Sequence, residues 1–178
     1  VLSVFKPLVG VGVNIATLYQ YFPNKQALYD ALGLPPLAFR GSRVLEVAAG
    51  TGHNSLYLAQ LMPERLLLLE PNATAVEHIG QAYAAFALPH TAPEVVTCTL
   101  EAFDPAESFD LVLCENWLGS SAHELGLLDK LAGLVAPGGA LVLTTVSPIG
   151  FVPNLLRRFL VPRLVDANLD FEGRSRVL

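Results

Sequence analysis

The chain has 178 residues, of which 52% are hydrophobic and only 15% are charged. This length favours one domain, and the apolar share supports a large buried core, which excludes a disordered chain. The net charge of −5 disfavours nucleic acid as a partner, because phosphate contacts need clustered Lys and Arg. Cys98 and Cys114 are too few for a disulfide framework, which favours a cytoplasmic protein, and no apolar run is long enough to span a membrane.

Residues 1–39 are predicted to form an N-terminal helical cap, in which Asn24 is placed to cap the short helix KQALYDAL. The stretch TLYQYFPNKQALYDAL, within residues 11–32, resembles the recognition helix and the following helix of TetR-like DNA-binding regulators. Three features oppose that interpretation. Only sixteen residues precede Thr17, NIATLYQYF contains no Lys or Arg for phosphate, and strands follow where such regulators are all-helical. DNA binding is therefore kept as a minor alternative.

From residue 40 onward, apolar runs alternate with helical patterns. Strands are predicted over 44–49, 65–71, 94–100, 109–115 and 140–146, and helices over 52–62, 72–87 and 121–136. Asn72 is a predicted N-cap, and the PGG at 137–139 is predicted to stop the last helix. The strands are continuously apolar rather than alternating, which is typical of a parallel sheet covered on both faces.

This order predicts an α/β fold, a Rossmann-like, doubly wound, mostly parallel sheet with helices on both faces. The core is predicted over residues 40–147 and a C-terminal helical tail over 148–178. Only EAFDPAES separates the third and fourth strands, so the intervening helix is expected to be lost. No convincing strand follows residue 146. Because an open sheet edge invites pairing, either the chain is a fragment or the edge is covered by the tail or by a second copy in a homodimer.

Polar residues and glycines follow the first two predicted strands, where ligands bind in open α/β sheets. Gly50 and Gly52 allow a sharp turn and a close approach of the backbone to a ligand, and Glu70 is placed to accept both hydroxyl hydrogens of a ribose. GTGHNS lacks the third glycine of the dinucleotide motif. Glu46, at the end of the first strand, would repel a pyrophosphate. It suits a ligand that carries an ammonium group and no phosphate.

These motifs resemble those of class I S-adenosylmethionine-dependent methyltransferases. VLEVAAGTGHNSLYLA is similar to their first motif, RLLLLEPN to the second-strand motif and FDLVLCENWLG to the fourth-strand motif. LLDKLAGLVAPGGALVLTTV is similar to the helix, turn and fifth strand that follow. The resemblance covers residues 40–147. It implies S-adenosylmethionine as the cofactor and methyl transfer by in-line displacement to an acceptor, which we expect to be a small molecule.

The resemblance implies cofactor-binding roles for residues at the strand ends, namely Glu46, Ala48, Gly50, Gly52, Glu70, Leu100, Glu101 and Glu115. Glu46 would engage the methionine ammonium, through water. Glu70 would hold the ribose hydroxyls, while Leu100 and Glu101 would flank the adenine. Ala48 stands where the family often has glycine, and the loop is expected to tolerate its methyl group.

Candidates for catalysis follow the fourth strand. The resemblance places Glu115 and Asn116 near the sulfonium and the acceptor, and Glu115 or His123 could serve as a general base for a hydroxyl or amine acceptor. Trp117 either lines the acceptor site or packs in the core. The four histidines show no metal-ligand spacing, so no metal is predicted.

The resemblance also implies a C-terminal hairpin of two strands that the sequence lacks. This gap and Ala48 leave open a non-catalytic methyltransferase-fold subunit that serves a partner. Residues 1–39 are predicted to close over the cofactor, with Tyr19 or Tyr21 near the turn at Gly50 and Gly52.

Overall fold

The computed structural model describes residues 24–86, 92–115, 117–118, 122–144 and 156, with the backbone alone for 122–125. The described residues between 24 and 144 belong to one compact unit, Phe22–Thr145. Its helices are α1 Lys25–Ala31, α2 Pro36–Phe39, α3 His53–Gln60, α4 Ala73–Phe86 and α5 Ala122–Gly133. Its strands are β1 Arg43–Val47, β2 Arg65–Leu69, β3 Glu94–Val96, β4 Phe109–Cys114 and β5 Val135–Leu143.

The five strands form one parallel sheet in the order β3-β2-β1-β4-β5. This confirms the predicted α/β, Rossmann-like class. The chain leaves β1 for β2 on one side and later returns to β4 on the other side. The order therefore reverses beside β1, and the carboxyl ends of β1 and β4 border the crevice where such sheets bind ligands.

The residues of β1 divide between two hydrophobic clusters, one on each face of the sheet. Val44 belongs to a cluster that includes Tyr29 from α1 and Ile79 from α4. Leu45 belongs to a second cluster that includes Leu131 from α5. Successive residues of a strand point to opposite faces, so continuously apolar strands feed both clusters. Helices on both faces are thereby confirmed.

Both predicted helix caps are present. The Asn24 side chain accepts a hydrogen bond from the Ala27 amide at 2.9 Å, and the Asn72 side chain accepts one from the Thr74 amide at 3.0 Å. Each bond satisfies an amide that lacks a partner in the first turn of a helix. These local contacts fix where α1 and α4 begin.

Several predicted boundaries were wrong, among them that of the fifth strand, which covers Val135–Leu143 rather than 140–146. Helix α5 ends at Gly133 rather than at residue 136, and the PGG at 137–139 lies inside β5 instead of stopping the helix. The third strand covers only Glu94–Val96 of the predicted 94–100. Residues 97–108 form turns, which confirms that no helix joins β3 to β4. Leu100 and Phe103 from these turns are buried in the cluster that contains Leu131.

The predicted tail at 148–178 lies outside the described residues, apart from residue 156, as do Tyr19 and Tyr21 of the predicted cap. In the described sheet, β5 pairs only with β4, so one of its edges has no neighbouring strand there. None of the described helices has the length and apolar character needed to cross a membrane. No group of three His, Cys, Asp or Glu side chains among the described residues could hold a metal ion.

Candidate functional site

The turn between β1 and α3 contains three residues in the left-handed region, Ala48 at φ 58°, Gly50 at φ 57° and Gly52 at φ 80°. Two of them are glycines, which adopt this conformation without steric cost. Gly52 also allows close packing, because a Cβ there would lie 2.9 Å from the Ile79 side chain of α4. Ala48 adopts the strained conformation despite its methyl group, and its amide donates to the Leu69 carbonyl at 2.8 Å.

The Glu70 carboxylate braces this turn from the end of β2. One oxygen accepts a hydrogen bond from the Gly50 amide at 2.8 Å, and the other accepts one from the Asn72 amide at 2.9 Å. A carboxylate offers about four lone-pair positions, so about two remain for other donors. The predicted residues Gly50 and Glu70 are therefore in direct contact at adjacent strand ends.

Glu46 is buried on the face of β1 that α3 covers, with 5% of its surface exposed. One of its oxygens accepts a hydrogen bond from the Asn54 side-chain amide at 2.7 Å. The other oxygen, Oε2, and the Asn54 Oδ1 atom are buried without a partner among the described residues. Burial raises the pKa of Glu46 to about 7, against the lowering effect of the Asn54 hydrogen bond. Two buried acceptors at this point therefore have no donor in the part of the chain that the structure describes.

Glu115, directly after β4, is a meeting point for three side chains. It forms an ion pair with Lys25, accepts a hydrogen bond from the Tyr29 hydroxyl, and receives a longer contact of 3.4 Å from the Asn54 amide. Burial and the negative charge of Glu115 raise the pKa of Tyr29 well above its usual range, so its phenol stays a neutral donor. These contacts fasten α1 to the carboxyl end of the sheet.

The turn, the two acids and α1 enclose a cleft of about 240 Å³ at the carboxyl ends of β1 and β4. We call this space the switch cleft. Its lining consists of Lys25, Glu46, Ala48, Ala49, Gly50, Thr51, His53, Asn54 and Glu115. The structure thus brings together four of the predicted positions, since Glu46, Ala48, Gly50 and Glu115 all face one space.

The other predicted positions lie elsewhere or outside the described residues. The Leu100 side chain is 2% exposed and packs in the core, so it can offer only its backbone to a ligand, whereas Glu101 is exposed. Trp117 is 36% exposed, so it is not a fully buried core residue. Asn116 and the His123 side chain lie outside the described residues. The cofactor and catalytic roles of all these residues stay predictions.

Among the residues of the switch cleft and its border that sequence reasoning missed, Lys25, Tyr29 and Asn54 make the side-chain contacts with Glu115. Lys25 and Tyr29 are four residues apart on α1 and so share one face of that helix, which was an available signal. Asn54 lies in the first turn of the helix after the glycine turn, close to where a ligand would approach. Their contacts with Glu115 span 61 to 90 residues along the chain, and the sequence alone does not reveal such partners.

Residues 19–171 match the family model that is described as a methyltransferase domain. The chain belongs to this family. That assignment confirms the superfamily indicated by the motifs between residues 40 and 147.

Individual relatives of this methyltransferase domain agree with the assignment. Ribosomal RNA small subunit methyltransferase G of Methylococcus capsulatus is 37% identical over 91 residues, which is 51% of this chain and 43% of the relative. The chain thus matches less than half the length of that protein.

Two solved structures share the fold of this methyltransferase domain. Coclaurine N-methyltransferase bound to N-methylheliamine and SAH has a TM-score of 0.52 and 20% identity. This match covers 71% of the present chain and 33% of that protein. Magnesium protoporphyrin IX methyltransferase from Synechocystis with bound SAM has a TM-score of 0.54 and 20% identity. This match covers 67% of the present chain and 55% of that protein. At this identity, the likeness concerns the fold alone.

Proposed function

We propose that this chain binds S-adenosylmethionine in the switch cleft and transfers its methyl group to a small-molecule acceptor by in-line displacement. The observation that carries the proposal is the pair of buried acceptors, Glu46 Oε2 and Asn54 Oδ1, which lack a donor in the described structure. A ligand ammonium group, directly or through one water molecule, supplies donors to both. Buried polar groups are almost always hydrogen-bonded, so these two atoms favour a ligand of this kind.

The other residues of the site fit the same cofactor. Gly50 presents backbone without a side chain, and a Cβ built there would meet nothing within 4 Å, so the turn is open to a ligand. Glu70 keeps about two lone-pair positions for the hydroxyls of a ribose after its bonds to Gly50 and Asn72. Glu46, the glycine turn and Glu70 therefore follow one another along the carboxyl edge of the sheet.

The cofactor, when bound, supplies the activated methyl group, which leaves the protein the tasks of alignment and water exclusion. Glu46 and Asn54 hold the ammonium end, and Glu70 fixes the ribose end. Glu115 directly follows β4, at the position that we assign to the neighbourhood of the sulfonium and the acceptor. Since Lys25 and Tyr29 already occupy its oxygens, Glu115 is better suited to holding α1 in place than to removing a proton from the acceptor.

The charge of the described surface favours a small molecule over RNA as the acceptor. Two of the described arginines are paired with carboxylates on the surface: Arg43 with Asp110, and Arg65 with Glu94 and Glu107. Phosphate binding needs unpaired basic groups. The ribosomal RNA methyltransferase relative makes RNA the second candidate acceptor.

Calorimetry with S-adenosylmethionine and its demethylated product tests the proposed function. Both compounds are expected to bind. Glu46→Gln is expected to weaken both by about tenfold or more, because a charge-assisted hydrogen bond contributes about 1.5–3 kcal/mol. Glu77→Gln is the matched control, because Glu77 is exposed on α4. Binding of neither compound to the parent protein would contradict the proposal and would leave the non-catalytic subunit as the better interpretation.

Transfer of a radiolabelled methyl group distinguishes the two acceptor classes. The parent protein is incubated with labelled S-adenosylmethionine and either bacterial ribosomal RNA or a low-molecular-mass metabolite fraction. We expect label in the metabolite fraction. Label in the RNA instead would assign a nucleic-acid acceptor, and it should then decrease steeply with added salt.

A further inference from the structure

Lys25 places an ammonium group at the border of the switch cleft. It belongs to α1, lies beside Glu46, Gly50 and Asn54 in the lining, and keeps about 20% of its side chain exposed. Its ionic partner is Glu115, and the Tyr29 ring lies 5.8 Å from its nitrogen. A lysine has three donors, and the ion pair with Glu115 uses one of them. The group is therefore placed to meet a further acceptor in the cleft.

The charges in the cleft indicate which group of a ligand would accept a hydrogen bond from Lys25. Glu46 and Glu115 are both acidic, so a ligand carboxylate that entered without a cation would be repelled. Lys25 is the one Lys or Arg among the described residues that line the cleft. His53, the remaining titratable group of the lining, has its Nδ1 hydrogen-bonded with the Thr51 hydroxyl at 2.8 Å. Among the described side chains that line the cleft, Lys25 is therefore the cationic partner for an anionic group.

We propose that Lys25 receives the α-carboxylate of the cofactor while Glu46 and Asn54 hold its ammonium, so that the cleft recognises a zwitterionic amino-acid end. This inference rests on the proposed function and names a specificity residue for it. Glu115 and Tyr29 act as positioning residues, because they hold the Lys25 ammonium at the cleft border. Through Lys25, the seven-residue helix α1 thereby contributes to the choice of ligand.

The experiment compares S-adenosylmethionine with its decarboxylated form, which keeps the amine and the sulfonium and lacks only the carboxylate. Calorimetry measures both ligands on the parent protein and on Lys25→Met. The parent is expected to prefer S-adenosylmethionine. Lys25→Met is expected to weaken that ligand by about tenfold to a hundredfold and to leave the decarboxylated ligand nearly unchanged, because only one of them has the group that Lys25 binds. Arg40→Met is the matched control, since it removes one positive charge from an exposed position before β1.

Two further variants keep the result interpretable. Lys25→Arg retains the charge and is expected to retain the preference. Lys25→Gln keeps a hydrogen-bond donor for Glu115 without the charge, and it is expected to lose the preference even if Lys25→Met folds poorly. Equal losses on both ligands, or no loss on either, would overturn the inference and leave Lys25 a structural partner of Glu115. Failure of the proposed function is a different result, in which the parent protein binds neither ligand.

Discussion

At Glu46, the cost of burying a carboxylate opposes the ligand-binding role that we propose for this residue. Its carboxylate is buried, has one donor in Asn54, and has an oxygen without a partner among the described residues. Burying a charge without full compensation is costly, and this is the cause of its raised pKa. A ligand ammonium group would offset that cost. The residue is therefore expected to destabilise the ligand-free protein and to favour the bound one.

The first prediction concerns the pH dependence that Glu46 gives to stability. Its pKa rises from 4.5 to about 7 on folding, so the folded state binds more protons than the unfolded state between these values. The free energy of unfolding should therefore fall as pH rises from about 4.5 to 7, by roughly 3 kcal/mol from this group. Glu46→Gln should remove this fall and be the more stable protein at pH 8.

Urea unfolding of the parent and Glu46→Gln at pH 5, 6, 7 and 8 measures that contribution. The difference between the two proteins isolates Glu46, because all other titrating groups are common to both. A difference that stays constant across this range would show that Glu46 does not carry the predicted pH dependence.

The second prediction concerns Ala48, which holds a left-handed conformation at φ 58°. This conformation costs a non-glycine residue about 1–2 kcal/mol, whereas glycine adds about 0.5–1 kcal/mol of unfolded-state entropy. Ala48→Gly is thus expected to raise the free energy of unfolding by up to about 1 kcal/mol. Ala49→Gly, at the neighbouring buried position, should lower it. Chemical denaturation compares the two, and similar losses in both would contradict strain at Ala48.

Residues at strand ends were predictable, and residues brought in by packing were not. Glu46, Gly50 and Glu70 follow directly from where β1 and β2 end, because the carboxyl ends of parallel strands share one edge of the sheet. Lys25 and Tyr29 reach that edge only because α1 packs against β1 and β4, and their partner lies 86 to 90 residues away. No local pattern specifies such a partner.

At the scale of elements, the end of α5 shows how tertiary pairing overrides a turn signal. Pro-Gly-Gly is typical of a turn, yet here it lies within β5. Val135 pairs with Phe109 and Ala140 pairs with Leu111, so residues 136–139 lie opposite Asp110 alone. This bulge keeps both flanking segments in register with β4. The sequence pattern correctly marked an irregularity of the backbone at residues 137–139. The prediction that this irregularity ends helix α5 was wrong, because it lies within β5.

The third prediction tests the bulge. A Cβ on Gly139 would lie 2.6 Å from the Asp110 carbonyl oxygen and 3.0 Å from that of Ala136, both of them backbone atoms. Gly139→Ala should therefore lower the free energy of unfolding by about 1–3 kcal/mol. Gly126→Ala is the matched control, because that glycine is exposed within α5 and its Cβ would meet nothing within 4 Å.

The control should instead gain about 0.5–1 kcal/mol from improved helix propensity. Urea denaturation of both variants makes the comparison. Equal changes in the two would show that β4 and β5 are not packed as closely at the bulge as described.

At the scale of the whole molecule, the switch cleft draws on segments from residue 25 to residue 115 of the chain. Helix α1, the turn after β1, the first turn of α3 and the end of β4 each contribute, and β2 supports the turn through Glu70. Continuously apolar strands predicted this sheet from the sequence, because burial on both faces leaves few alternative arrangements. A ligand that binds such a cleft contacts elements that exist together only in the folded state, so binding must stabilise the fold as a unit.

The last prediction follows from that coupling. S-adenosylmethionine at about 100 times its dissociation constant should stabilise the protein by about 2.7 kcal/mol, which corresponds to a rise in Tm of about 5–10 °C for a chain of this size. Glu70→Ala removes the carboxylate that we assign to the ribose and also the brace on Gly50. Its Tm without ligand should fall, and at the same ligand concentration most of the ligand-induced rise should disappear. Glu77→Ala, on the exposed face of α4, should keep the full rise. Differential scanning fluorimetry separates the two effects, because the ligand-induced rise in Tm is measured within each variant. A full rise in Glu70→Ala would refute the assignment of Glu70 to the ribose. It would leave intact the structural role of Glu70 as the hydrogen-bond partner of Gly50.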